Sequence, residues 1–260
     1  ASWIRARSVE RRGRCAVLDA TLYDQNGDAL LEMRGVTLTV GGASVPPALP
    51  ESMDRATMQR CVAGVGRLAM EYYAPNLCVR AADIETLHDV PGQYTIGRGQ
   101  ENVTFCSDDE DAVSMAMSSF HRLIERCGLE YDETGRLEVG TESQTDRSKS
   151  IKSNLMRLFD ESGNMNVEGV DTYNACYGGT NAVFSTLGWL HSPSWDGRHA
   201  VVVTSDIAVL GERYKFSCGG AAVAMLFGRN APMRFDPRRA SYISDEHDFY
   251  KPVGWHELAP

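Results

Sequence analysis

Apolar residues recur along the chain at two different periods, and the switching between them outlines the fold. Near the N-terminus, "CAVLDATLYD" (15–24) and "ALLEMRGVTLTV" (29–40) are rich in β-branched and apolar residues and flank "QNGD", a turn signal centred on Asn-Gly. They predict a β-hairpin. The stretch "GGASVPPALPES" that follows concentrates Gly, Pro and Ser, the composition of a linker rather than of a core element. The chain therefore divides into a hairpin segment at 1–43, a linker at 44–61 and a larger region at 62–260.

In the larger region the period changes repeatedly. "VAGVGRLAMEYY" (62–73) predicts a strand. "DDEDAVSMAMSSFHRLIERCG" (108–128) opens with acidic residues and sets Val113, Ala116, Met117, Phe120, Leu123 and Ile124 at helical spacing before Gly128. A strand at "GRLEVGTE", a helix around "SIKSNLMRLF", a strand at "VEGVDTYN" and a helix from about Tyr177 to Leu190 follow. "HAVVVTSDIAVL" and "GGAAVAMLFG" are almost continuously apolar, which predicts buried strands. Strands alternating with helices imply an α/β layered architecture.

Composition narrows the function classes. With 43% hydrophobic and 23% charged residues among 260, the chain can build a sizeable core. A net charge of -9 argues against a general nucleic-acid binder, which needs a basic surface. No apolar run approaches the roughly 18 residues that span a bilayer, and the basic "ASWIRARSVERR" lacks the apolar core of a secretory signal. The opening on Ala1 rather than Met fits a segment of a longer protein. Seven cysteines show no C-x-x-C pairing and no His at metal spacing, so neither a metal site nor a disulfide framework is expected. A reducing, cytoplasmic setting fits.

The candidate chemistry centres on "DTYNACYGGTNAVF" (171–184). Cys176 lies where a predicted buried strand gives way to a helix, facing unsatisfied N–H groups and the positive end of the helix dipole. The two glycines after it would let a ligand approach closely. A buried structural cysteine is the alternative, but strand, Cys, Gly-Gly and helix together favour a nucleophile. Glu142, just after another predicted strand, stands where catalytic groups collect in α/β folds; a solvated loop carboxylate is its alternative. Asp206 ends a third strand and Asp248 lies in a later loop; a cap or turn aspartate is the alternative for each, and carries more weight for Asp248.

"NACYGGTNAVF" with "SPSWDGRHAVVVTSDIAV" resembles the active-site region of the 3-hydroxy-3-methylglutaryl-CoA (HMG-CoA) synthase family. "YTIGRGQ" (94–100), "GRLEVGTES" (135–143), "DRSKSIKSNLMRLFDESGN" (146–164) and "DFYKP" (248–252) follow in that family's order and spacing. The resemblance implies the N-terminal half of a thiolase-like layered fold. It implies that Cys176 takes an acetyl group from acetyl-CoA, with no tightly bound cofactor. Glu142 would be general acid/base as the acetyl carbon attacks the ketone of acetoacetyl-CoA or an acyl-carrier-protein thioester, with Asp206 and Asp248 supporting the site. A homodimer is also implied.

The pattern fails in places. The family's Lys before "YTIG" is Gln93 here, and its ligand-contacting Asn and Thr after "DIAV" align with Tyr214 and Cys218. The family's catalytic histidine, in a "HSP" motif well beyond "DFYKP", has no counterpart: neither His256 nor His191 matches its position. The chain is expected to be an incomplete piece of a larger enzyme. The hairpin segment in turn resembles the last strands of a polyketide synthase dehydratase of the double hotdog type. Together with Gln93, this favours a transferase for β-branching in polyketide assembly, ahead of a mevalonate-pathway enzyme. A catalytically inactive docking module is the reading from another class.

Overall fold

The computed structural model describes residues 3–12, 15–23, 29–39, 64–208, 218–235 and 240–245. At the N-terminus, β1 (Trp3–Arg12), β2 (Cys15–Tyr23) and β3 (Ala29–Thr39) form an antiparallel sheet in that order. The expected hairpin is the β2–β3 pair, with Tyr23 opposite Ala29. The basic N-terminal segment adds a third strand, pairing Trp3 with Tyr23 and Arg12 with Cys15. The linker at 44–61 lies outside the described residues.

The larger region runs β4 (Gly66–Tyr73), β5 (Leu77–Arg80), α1 (Ala81–His88), α2 (Thr95–Arg98), β6 (Asn102–Phe105), α3 (Ala112–Cys127), β7 (Thr134–Gly140), α4 (Ile151–Leu155), β8 (Asp171–Thr172), α5 (Gly178–Leu190), β9 (His199–Ala208), β10 (Gly219–Gly228) and β11 (Met233–Arg234). Six strands make one sheet, ordered β11-β4-β10-β9-β7-β8. β7 is parallel to both β8 and β9, whereas β10 is antiparallel to β9 and β4.

Helices cover both faces. α3 and α4 pack with Leu137, Val139, Val201, Val203, Ala224 and Leu226 on one side, and α5 packs with Ala200, Val202 and Phe227 on the other. Alternate residues of "AVVV" thus enter opposite cores, which is why that stretch is apolar without a break. α3 begins at a capping box: Asp111 accepts from Ser114 N at 2.7 Å, and Ser114 Oγ accepts from Asp111 N at 2.8 Å. It ends at Gly128, whose φ of 63° suits glycine. Phe120, Leu123 and Met115 on its inner face are fully buried; each is worth about 1.5–3 kcal/mol relative to exposure. Val113 and Met117, expected in the same stripe, sit half-buried at its margin.

Three elements differ from expectation. Residues 77–105 form the excursion β5–α1–α2–β6, whose short segments give no clear period. "SIKSNLMRLF" gives one turn of α-helix and then a 3-10 turn, Met156–Phe159, burying Ile151, Leu155 and Phe159. The predicted buried strand "VEGVDTYN" shrinks to Asp171–Thr172, only half-buried. It is the edge strand, bonded on one side alone, and Val170 and Tyr173 beside it are exposed.

Candidate active site

β7 and β8 end together at the level of Thr204 on β9, which runs on to Ala208. Gly140 on β7 aligns with Thr172 on β8 and with Thr204 on β9. Glu142 lies two residues beyond Gly140, Cys176 four beyond Thr172, and Asp206 two beyond Thr204. Glu142 and Cys176 therefore follow the carboxyl ends of neighbouring parallel strands, where α/β sheets form their crevices, and Asp206 lies beside them in the last part of β9.

Asp206 organises the turn that carries Glu142. Its Oδ1 accepts from Glu142 N at 2.8 Å, Ser143 N at 3.1 Å and Thr141 Oγ1 at 3.1 Å. Thr141 Oγ1 also donates to Ser205 O at 2.8 Å, and Ser143 Oγ accepts from Ile207 N at 2.9 Å. The turn is thus stitched to β9, leaving the half-buried Glu142 side chain as the group it presents.

Cys176 is exposed and sits in a 3-10 turn, Ala175–Tyr177, one step before α5. Ala175 beside it has a φ of 20°, outside the favoured regions for a non-glycine residue. Gly178 N donates to Asn174 O at 2.7 Å and closes the turn. The following glycines are not ligand-facing gaps, as the sequence suggested. A Cβ on Gly178 would lie 2.7 Å from Thr172 O, one on Gly179 2.6 Å from Thr204 Cγ2, and one on Gly140 2.5 Å from Gly179 Cα. They let the helix backbone press onto the ends of β7 and β8 and onto Thr204 of β9.

The remaining expected positions are dispersed. Gln93 is exposed in the α1–α2 connection, between residues held by a buried carboxylate: Glu85 accepts from Gly92 N at 2.9 Å, Tyr94 N at 2.6 Å and Thr95 N at 2.6 Å. These N–H donors, the Thr95 backbone foremost, hold the Glu85 carboxyl below its usual range. Cys218 is half-buried immediately before β10, whose Gly219 pairs with Ala208, so it lies at the same sheet edge as Asp206. Tyr214, Asp248 and His256 lie outside the described residues. His191, which does not match the position of the family's histidine, follows the far end of α5 and donates from Nδ1 to Leu187 O at 2.6 Å. Among the described residues no group of three His, Cys, Asp or Glu could hold a metal ion, and no helix is long and apolar enough to cross a membrane.

Sequence reasoning missed a buried ion pair beside this site. Arg136 and Glu138 both point from β7 toward α5, Glu138 with its side chain 1% exposed, and Arg136 Nη2 donates to Glu138 Oε1. Burial pushes the Glu138 carboxyl up, with Arg136 opposing. The available signal was two charges at period two within the predicted strand "GRLEVGTE".

Residues 62–232 match the family described as hydroxymethylglutaryl-coenzyme A synthase N terminal. The chain belongs to the hydroxymethylglutaryl-CoA synthase family. It is 51% identical over 191 residues to the cytoplasmic hydroxymethylglutaryl-CoA synthase of Rattus norvegicus, covering 72% of this chain and 37% of that protein. It is 47% identical over 190 residues to hydroxymethylglutaryl-CoA synthase 2 of Blattella germanica, 72% and 42% respectively. The chain thus spans about two fifths of the length of these relatives. Among solved structures, MvaS in complex with 3-hydroxy-3-methylglutaryl coenzyme A aligns with a TM-score of 0.61 at 33% identity, over 64% of this chain and 40% of that one. The curacin-pathway HMG synthase in complex with holo donor-ACP aligns with a TM-score of 0.55 at 21% identity, over 63% and 41%, a likeness of fold. The architecture is the thiolase-like layered fold of these neighbours.

Proposed function

We propose that this chain is the N-terminal half of a condensing acyltransferase that joins an acetyl group held on Cys176 to a β-keto thioester. The observation that carries the reading is the convergence of Cys176 and Glu142, just past the ends of β8 and β7, with Asp206 in the last part of β9. In the proposed cycle, the Cys176 sulfur attacks the acetyl thioester carbonyl, and the carbon–sulfur bond to the donor breaks, releasing the donor thiol. Glu142 takes a proton from the acetyl methyl group, and the electron pair left behind forms the bond to the ketone carbon of the acceptor. The ketone oxygen becomes an alkoxide and is protonated. Water then cleaves the Cys176 thioester to a carboxylic acid and free thiol. Asp206 holds the Glu142 turn, Asp248 supports the site, and Gln93, Tyr214 and Cys218 belong to the shell that binds the thioester substrate.

Acetyl-CoA is the proposed donor, the working form a cytoplasmic homodimer, and the dehydratase-like segment 1–43 a neighbouring module. The 51% identity to a cytoplasmic HMG-CoA synthase favours acetoacetyl-CoA as acceptor. Gln93, which removes a cation from the CoA shell, favours the second reading: a carrier-protein thioester in polyketide β-branching. Intact-mass analysis of the full-length protein after exposure to acetyl-CoA should show an acetyl adduct that Cys176→Ala abolishes. No adduct would instead support an inactive docking module. Turnover of acetoacetyl-CoA but not of acetoacetyl-carrier protein would eliminate the β-branching version.

A further inference from the structure

β7 connects the two reacting groups through its side chains as well as its end. Leu137 and Val139 enter the core under α3, so period-two alternation sends Arg136 and Glu138 to the α5 face. There, Arg136 Nη2 donates to Glu138 Oε1 and, at 2.9 Å, to Ser185 Oγ on α5; Ser185 Oγ donates to Glu138 Oε1 at 3.3 Å. The arrangement is a closed three-membered ring spanning strand and helix. Arg136 Nη1 also reaches Glu168 at 3.3 Å, and its guanidinium lies 5.9 Å from the centre of the Trp189 ring, again on α5.

A buried ion pair of this kind is poor value as a stabiliser, because its desolvation offsets its attraction. Its best-attested use is to fix register. Ser185 lies seven residues after Gly178, about 10 Å along the helix. α5 is therefore held at two heights on β7: by glycine-to-glycine backbone contact at Gly140 and by the ring two turns further on. A slide of one residue along α5 would break both. The same strand leads in two residues to Glu142, and the same helix is preceded by Cys176.

We infer that Arg136, Glu138 and Ser185 are positioning residues for the condensation, fixing α5 on β7 and with it the placement of Cys176 relative to Glu142. The inference rests on the acyl-transfer reading above and adds to it a division between the two half-reactions. Loading acetyl onto Cys176 needs only the thiol and a donor. Forming the carbon–carbon bond needs the loaded methyl group and the Glu142 carboxylate in register, so the ring acts on that step.

The test compares the unsubstituted full-length protein with Ser185→Ala, Ser185→Thr and Glu138→Gln. Acetyl loading is read by intact mass, and condensation by steady-state turnover with acetoacetyl-CoA and acetoacetyl-carrier protein. Ser185→Ala should load at the unsubstituted rate while its condensation kcat falls about 10- to 100-fold, the usual penalty for misplaced reacting groups, with KM for the acceptor unchanged. Ser185→Thr, which restores the hydroxyl, should recover kcat, and Glu138→Gln should behave like Ser185→Ala. If Glu138→Gln does not fold, the two Ser185 variants decide alone. Normal loading with unchanged condensation in Ser185→Ala would overturn the positioning role and leave acyl transfer standing. So would loading and condensation falling together without rescue by Ser185→Thr. No adduct in the unsubstituted protein would overturn acyl transfer itself, and the positioning role with it.

Discussion

Replacing Asp206 by Ala should release the turn that presents Glu142 while the sheet stays folded. Asp206 Oδ1 accepts from Glu142 N, Ser143 N and Thr141 Oγ1 at 2.8, 3.1 and 3.1 Å. A hydrogen bond to a charged group contributes about 1.5–3 kcal/mol net. Thr141 Oγ1 keeps Ser205 O, and Ser143 N keeps Thr141 Oγ1 at 2.9 Å, so for two of the donors the loss is partly covered. Asp206 is itself half-buried, and water can substitute at the vacated position. The net effect on the turn is about 2 kcal/mol, weighted toward Glu142 N. Asp206→Asn keeps an acceptor oxygen without the charge and should cost about 1 kcal/mol. Amide hydrogen exchange, resolved by residue, is the assay. At 1.4 kcal/mol per tenfold, the Glu142 amide should exchange about 30-fold faster in Asp206→Ala and the Ser143 amide faster by a smaller factor, with β9 amides such as Val202 unchanged. If those two amides keep their protection, Asp206 does not hold the turn, and its support of Glu142 must be abandoned.

Other perturbations probe the packing around the site. Gly179→Ala puts a Cβ 2.6 Å from Thr204 Cγ2; urea unfolding should show about 1–3 kcal/mol of destabilisation, largely recovered by adding Thr204→Ser, and no recovery would mean the contact is not the cause. Arg136→Met leaves Glu138 buried without its partner and should cost about 3–5 kcal/mol, whereas Arg136→Met with Glu138→Leu should regain most of it. Because burial raises the Glu138 carboxyl, the single variant should lose more stability as pH rises and the group ionises; a flat profile would contradict that. His199 is pulled below its ordinary value by burial, against the charge of Glu133 and with that of Arg229. The native state thus favours neutral His199, so its contribution is complete above about pH 6.5 and lost as pH falls from there toward the folded value. Melting temperatures taken from pH 8 to 5 should drop less in His199→Gln than in the unsubstituted protein, and identical slopes would exclude His199 as the source.

Long elements were legible because one period dominated each. α3 carries its stripe over four turns with a cap at Asp111 and a stop at Gly128, and β9 holds an unbroken apolar run over Ala200–Val203 because both its faces are covered there. The excursion at 77–105 was not legible. Its segments of four to eight residues are ordered by tertiary bonds, chiefly the Glu85 carboxylate gathering the N–H groups of residues 92, 94 and 95. No local pattern announces a carboxylate that caps a loop seven to ten residues away. The N-terminal strand failed for a related reason: "WIRARSVERR" is charged at half its positions, yet it pairs along β2 through backbone bonds that side-chain hydropathy does not report.

At the site, the sequence could point to Cys176, Glu142 and Asp206 because each lies at or just past a predicted strand. It could not say why they converge, which depends on strand order. β7 lies between β8 and β9 although β8 comes from between them in the chain, and only that order aligns Gly140 with both Thr172 and Thr204. The same order explains why Gly178 and Gly179 were misread. A glycine pair beside a cysteine suggests room for a ligand, but at this crossing two strand ends, Thr204 of β9 and a helix backbone need the space first. Close approach of α5 is therefore the condition for bringing Cys176 over the strand that carries Glu142. On the proposed reading the glycines serve the chemistry indirectly, and substituting one should displace the thiol before it blocks any substrate.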